Sequence, residues 1–266
     1  MTNSKVLLAG AWAGEFGWEL CTWIPALRNI ASNYDKVVVA CAPWNNYLYE
    51  DFVDLFEDYR NKKDGDMWFQ SRFPTIKPKM PKKLKEKYIG SDIIIPNKYM
   101  CMKAPRKYFM YGKKTDEKGY DVVIHARAED KYGQSKLNYS PLKYKKMLKQ
   151  LRLKQDIKAC SIGTKAYHID ETTDYRGVNM TYLCYILRNS KVCVGTSSGV
   201  MHLSHLCGCP IVVLTDDKKK KGIKATNRER YKKIWRAFPD VPVKVIDNHG
   251  WHPPVATITK AVRKFL

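Results

Sequence analysis

Eight short apolar runs punctuate the chain, and each stands before or between segments of helical period: KVLLAGA (5–11), KVVVACA (36–42), DIIIP (92–96), DVVIHAR (121–127), IKACSI (157–162), KVCVG (191–195), PIVVLT (210–215) and VKVI (243–246). Runs of four to seven residues suit strands buried by a layer of helices, and their alternation with helical patterns predicts β-α-β units with a mostly parallel sheet.

The runs fall into two clusters. In the first, a helix is expected over 18–31 with Leu20, Ile24, Leu27 and Ile30 on one side, and a second over 45–58. Residues 71–87 carry Pro74, Pro78 and Pro81 among seven lysines and arginines, which predicts an exposed basic loop. Residues 97–120 lack a clear period, so a domain boundary is expected near 115. In the second cluster, helices are expected over 140–153, with Tyr144, Met147, Leu148 and Leu151 inward, over 180–189, over 199–207 and from Pro254 onward. Two parallel-sheet domains place a ligand in the crevice at the carboxyl ends of their strands.

At 266 residues the chain can bury a core of ordinary size. Its 48 lysines and arginines against 26 aspartates and glutamates leave a formal charge of +22, which points to an anionic partner, nucleic acid first and an anionic membrane surface second. No stretch approaches the roughly 18 apolar residues of a membrane span. The run before Glu15 reads as a first strand rather than a signal sequence. The eight cysteines are scattered without zinc spacing and read as reduced core thiols, which favours a cytoplasmic setting.

Three stretches carry chemistry. Gly195-Thr196-Ser197-Ser198-Gly199 closes an apolar strand and opens a helix, so a phosphate could meet backbone N–H groups and the positive end of the helix dipole there. Ser197 or Ser198 could equally cap that helix. His202, on the first turn, could reach the same phosphate or simply be packed, and His205 reads as structural. At the end of 121–127, Arg127 offers a planar fork of donors suited to a diphosphate and Lys131 a point charge, although Glu129 and Asp130 could occupy these cations. At the opening, Gly14-Glu15-Phe16-Gly17 places a carboxylate between two glycines before a helix. Glu15 could be a base, with Trp12 and Trp18 around it as a platform, or an acid stabilised by the helix N-terminus; Glu19 reads as a surface residue.

The Ser-Gly turn with Met201-His202-Leu203 resembles the donor-binding segment of the heptosyltransferase-like GT-B glycosyltransferases, and so does the opening, with Gly14-Glu15 followed by Ile24-Pro25-Ala26-Leu27-Arg28. His125-Ala126-Arg127-Ala128-Glu129-Asp130-Lys131 is similar to a motif of GT-B fucosyltransferases. The sequence departs from these families where Ser197 stands for an acid, Glu15 for an aspartate and Ala128 for a second arginine. The resemblance implies a GT-B fold, two Rossmann-like domains facing a central cleft: 1–115 on the acceptor side, 116–252 binding the nucleotide sugar, and 253–266 as a helix crossing back to the first domain. It implies no catalytic metal and a sugar nucleotide as donor, a UDP-sugar first, a GDP- or ADP-sugar otherwise.

On this reading Glu15 and Arg127 are the catalytic pair, and Gly14, Gly17, Arg127, Lys131, Thr196, Ser197, Ser198, Gly199 and His202 hold the donor. An inverting transfer to a hydroxyl of a polyanionic acceptor is expected. The charge favours DNA carrying hydroxymethylated pyrimidines, as in bacteriophage DNA modification, bound along the basic segments 71–87 and 218–236, with Tyr231, Trp235 and Trp251 available to stack on an exposed base. The alternatives are a cell-surface glycan or lipopolysaccharide acceptor, and a nucleic-acid-binding protein without catalysis on the same scaffold.

Overall fold

The computed structural model describes residues 4–10, 12, 14–59, 80–128, 135–218 and 225–266. Contacts divide the chain into two compact units, Met1–Phe109 and Met110–Leu266.

The first unit begins with β1 (Val6–Gly10), a short helix α1 (Phe16–Trp18), a π-helical turn (Glu19–Trp23) and α2 (Ile24–Ala31). β2 (Lys36–Cys41), a 3-10 helix (Pro43–Leu48) and β3 (Leu55–Asp58) follow, then α3 (Lys82–Lys87), β4 (Asp92–Ile94) and α4 (Lys98–Met102). The four strands are parallel in the order β3-β2-β1-β4. The helix expected over 45–58 is therefore corrected to a single 3-10 turn and an edge strand. Pro43 fixes the start of that turn, and Leu55 to Asp58 gain the free edge of β2. Within the basic 71–87 segment, Lys82–Lys87 form α3; residues 71–79 lie outside the described residues.

The π-turn has a cause in the sequence. Pro25 has no N–H to give to the carbonyl four residues back, and its ring crowds that carbonyl. The carbonyl in question is that of Cys21, which instead accepts a hydrogen bond from Tyr108 Oη at 3.1 Å, while the Ile24 N–H bonds to Glu19 O. The widened turn leaves every residue from Glu19 to Arg28 buried, not one stripe alone. Arg28 is satisfied inside by Asp51 at 2.6 and 3.0 Å and by the carbonyls of Leu48 and Lys107.

The second unit runs β5 (Val122–His125), α5 (Pro141–Arg152), β6 (Ala159–Ile162), β7 (Thr173–Tyr175), α6 (Met180–Arg188), β8 (Val192–Thr196), α7 (Gly199–Leu206), β9 (Ile211–Leu214), α8 (Asn227–Lys233), β10 (Val243–Ile246), β11 (Asn248–Trp251) and α9 (Val255–Val262). Six strands are parallel in the order β10-β9-β8-β5-β6-β7. Counted from β5 this is 3-2-1-4-5-6, the doubly wound arrangement whose switch point lies between its first and fourth strands. The first unit repeats the same order as far as its four strands go.

The inward stripe expected for α5 is observed: Tyr144, Met147, Leu148 and Leu151 are buried with Ile258, Ala261 and Val262 of α9 in one core. The C-terminal helix α9 is built into the core of the second unit. Thr259 Oγ1 donates to Gln150 Oε1 at 2.7 Å and Arg263 to Gln150 O at 2.7 Å. All eight cysteines are buried and free. Among the described residues no helix is long and apolar enough to cross a membrane.

Candidate functional site

The switch point of the second unit lies between β5 and β8, where His125 pairs in register with Gly195. A Cβ at Gly195 would stand 2.8 Å from the His125 carbonyl oxygen and 3.0 Å from Met201 Sδ, so only glycine lets the strands approach this closely. His125 is buried, its Nδ1 3.3 Å from Ile162 O, and burial pushes its pKa down to about 4. Two residues on, Arg127 is half-buried and bridges to Ala166. Lys131, with Glu129 and Asp130, lies outside the described residues.

Across the switch point, β8 ends in Thr196, which is fully buried and whose Oγ1 has no hydrogen-bond partner among the described residues. Ser197 gives its N–H to Leu214 O at 2.9 Å and its hydroxyl meets Tyr231 Oη at 3.1 Å. Ser198, just before α7, has an extended backbone but makes no side-chain cap, and its Oγ is buried without a partner among the described residues. Gly199 follows as the first residue of α7. Neither serine caps the helix, which leaves its first N–H groups and its dipole available to an anion.

His202 is buried, with Nδ1 lacking a partner among the described residues; it stacks on Tyr231 (centroids 5.1 Å apart, 19° between planes) and meets Trp235 edge-on at 4.5 Å. Burial first, and then the Arg230 charge, hold its pKa near 3, so the ring is neutral. Asp216, just past β9, also keeps a buried, unpartnered Oδ1. Among the described residues, Thr196 Oγ1 at the end of β8, Ser198 Oγ and His202 Nδ1 at the start of α7, and Asp216 Oδ1 just past β9 are therefore buried without a hydrogen-bond partner. Leaving such groups buried and unmade costs about 1–3 kcal/mol each, an expense a polar ligand removes.

Part of the basic block 218–236 is engaged internally, while Lys218, Lys232, Lys233 and Arg236 are exposed. Arg228 pairs with Asp247 at 2.7 Å, Arg230 is buried over the Trp235 ring at 3.8 Å, and Tyr231 and Trp235 are themselves buried behind α7. The expectation that these two rings stack on an exposed base is corrected: they serve as the backing of the Ser-Gly turn. Residues 219–224 lie outside the described residues.

In the first unit the corresponding switch point lies between β1 and β4. Gly10 ends β1 with φ +126°, and Gly14 and Gly17 flank Glu15, which is exposed and starts α1 without a side-chain cap. Its carbonyl accepts the N–H groups of Trp18 and Glu19 at 3.0 and 3.1 Å. Trp12 stacks on buried Trp23 (6.4 Å, 21°), so at least one of the two expected platform tryptophans is tied to the core.

Glu19, expected at the surface, is buried. Its carboxylate accepts hydrogen bonds from Tyr49 Oη at 2.6 Å and Asn45 Nδ2 at 3.1 Å, and burial raises its pKa to about 7. A regular helical wheel hides this residue, because the π-turn shifts the phase; Pro25 six residues on is the one signal that could have exposed it. Among the described residues no cluster of histidine, cysteine, aspartate or glutamate forms a metal site.

The two units and their switch points define a GT-B fold, two Rossmann-like units in one chain. The fold is similar to that of the E. coli heptosyltransferase WaaC with ADP (TM-score 0.59, 10% identity, covering 98% of this chain and 100% of that one). It is similar to the E. coli ADP-heptose LPS heptosyltransferase II (TM-score 0.60, 11% identity, covering 98% of each). Against the dodecameric iron-containing heptosyltransferase TibC the TM-score is 0.48 at 15% identity, and the chain spans only 63% of that protein. No protein-family model matches the sequence, and no curated protein matches it.

Proposed function

We propose that this protein is a glycosyltransferase that takes a sugar from a nucleoside-diphosphate donor held at the β5/β8 switch point. The observation that carries the proposal is the set of donors and acceptors around the Ser-Gly turn that are buried without a partner among the described residues: Thr196 Oγ1, Ser198 Oγ and His202 Nδ1. They surround a helix N-terminus, the place where backbone N–H groups and dipole favour a phosphate. Arg127, on the neighbouring strand end, and Lys131 meet the charge that grows on the departing diphosphate, the role a metal ion fills in other transferases. Gly199 lets the phosphate approach the backbone.

Glu15 is the base in this proposal. It takes the proton of an acceptor hydroxyl as that oxygen attacks the anomeric carbon from the face opposite the leaving diphosphate, inverting the configuration. Gly14 and Gly17 leave room for the acceptor beside it. The +22 charge supports an anionic acceptor. Hydroxymethylpyrimidine DNA and a lipopolysaccharide-type glycan both fit that charge, and the fold likeness to a protein named as an LPS heptosyltransferase favours the glycan.

The test is transfer of label from UDP-, ADP- and GDP-sugars to either acceptor. Wild type transfers from one donor, and Glu15→Gln loses transfer while keeping donor affinity. A Glu15→Gln protein that transfers at the wild-type rate removes Glu15 from its role, and a protein that binds DNA in a salt-sensitive way but no sugar nucleotide is a binding module.

A further inference from the structure

α5 and α9 pack together in the core of the second unit, and the side each turns to solvent carries cations without acids. The buried stripe of α5, Tyr144, Met147, Leu148 and Leu151, fixes which residues face outward. At the same helical spacing, Leu142, Lys146, Lys149 and Leu153 line the opposite side, and all four are exposed. On α9, Ile258, Ala261 and Val262 turn inward and leave Lys260 outside, with Arg263 and Lys264 exposed in the turn that follows. Thr259 and Arg263 both bond to Gln150 of α5, so the two faces join into one.

Neither helix contains an aspartate or a glutamate. The other basic helices bring or meet acids: α3 pairs Lys82 with Glu86 and Lys87 with Glu57, and α8 pairs Arg228 with Asp247. On α5 one flank alone is answered, where Lys145 and Arg152 meet Asp170 and Glu171. Among the described residues no acid pairs with Lys146, Lys149, Lys260, Arg263 or Lys264. Leu142 is 70% and Leu153 78% exposed, one at each end of the lysine stripe. Cations flanked by apolar side chains on one helix face match an anionic membrane surface: the charges meet lipid phosphates while the leucines enter the boundary with the acyl chains. A nucleic-acid backbone would meet the lysines but leave both leucines in water.

We propose that the joined outer face of α5 and α9 docks on an anionic lipid bilayer, with Lys146, Lys149, Lys260, Arg263 and Lys264 on headgroup phosphates and Leu142 and Leu153 inserted between them. The inference stands apart from the glycosyltransferase reading, and its test needs no donor.

The test sediments the whole protein, at near-physiological salt, with vesicles of phosphatidylcholine containing a quarter phosphatidylglycerol and with vesicles of phosphatidylcholine alone. Wild type should bind the first and not the second. Lys146→Gln/Lys149→Gln/Lys260→Gln should bind about a hundredfold more weakly, at about fivefold per charge near an anionic surface. Lys83→Gln/Lys232→Gln/Lys233→Gln removes the same charge from exposed positions of α3 and α8. It should bind within about twofold of wild type, since charges off the face are screened. Leu142→Ser/Leu153→Ser keeps every charge and should bind about tenfold more weakly, because no leucine then leaves water. Circular dichroism melts should match wild type for all three variants, whose changes lie at the surface.

Failure of wild type to sediment with the anionic vesicles overturns the proposal. So does an equal loss in the two lysine variants, which makes net charge the cause, or full binding by the leucine variant. In that last case, a salt-sensitive affinity for duplex DNA that falls in Lys146→Gln/Lys149→Gln/Lys260→Gln assigns the face to nucleic acid instead.

Discussion

The two units share one strand order and bury opposite chemistry at its working edge. The first unit hides an acid, Glu19, whose pKa burial raises to about 7; the second hides two bases, His125 and His202, whose pKa values burial lowers to about 4 and 3. Desolvation drives all three shifts, since it penalises whichever form is charged. The lesson is that one fold can hold neutral polar groups at a ligand edge from either side of the pH scale. Held neutral, they remain able to accept or donate hydrogen bonds without attracting counter-ions.

The largest effects should come from the glycines that bring strands together at these edges. Gly10→Ala places a Cβ 2.4 Å from Ala40 O at a φ of +126°, and Gly195→Ala places one 2.8 Å from His125 O. Each should cost about 3 kcal/mol in urea unfolding, and Gly10 should cost more because strain adds to the clash. Equal, near-zero costs would mean the strands separate easily and would blur the parallel between the units.

Next in size are the pH limbs. An acid whose folded pKa exceeds its unfolded one binds protons more tightly when folded, so Glu19 stabilises the first unit below about pH 4.5 and loses that contribution as pH rises through 7. Glu19→Gln should therefore gain up to about 3 kcal/mol at pH 8 relative to wild type. The histidines run the other way: their stability is complete above pH 6.5 and is lost as pH falls toward 4. Hydrogen exchange in urea, read separately on peptides of each unit, should show the first unit weakening with base and the second with acid. Parallel responses would break the comparison.

A smaller effect sharpens it. Tyr231→Phe removes the partner of Ser197 Oγ at 3.1 Å but keeps the stack on His202. Stability should change by less than about 1 kcal/mol, whereas affinity for a nucleoside diphosphate should fall by about fivefold, as one hydrogen bond at the turn predicts.

Much of this was legible in the sequence. The eight apolar runs became strands, and the Ser-Gly turn lies at the switch point because Gly195-Thr196 closes a buried strand just before a helix. What escaped has physical reasons. Three-residue β7 and four-residue β11 are too short and too polar to carry a period. Residues 45–58 look helical because Leu48, Phe52 and Leu55 keep helical spacing, yet the sheet edge claims Leu55 to Asp58. Glu19 was hidden by the π-turn that Pro25 imposes, and the arginines of α8 look solvated because sequence cannot show Asp247 and Trp235 waiting for them.

The central claim is that the β5/β8 switch point receives a nucleoside diphosphate, and calorimetric titration of UDP, ADP and GDP into the whole protein tests it most directly. The account predicts saturable binding of at least one of them, weakened at least tenfold in Arg127→Ala and unchanged in Glu15→Gln. Binding of none, or equal binding by wild type and Arg127→Ala, would contradict it.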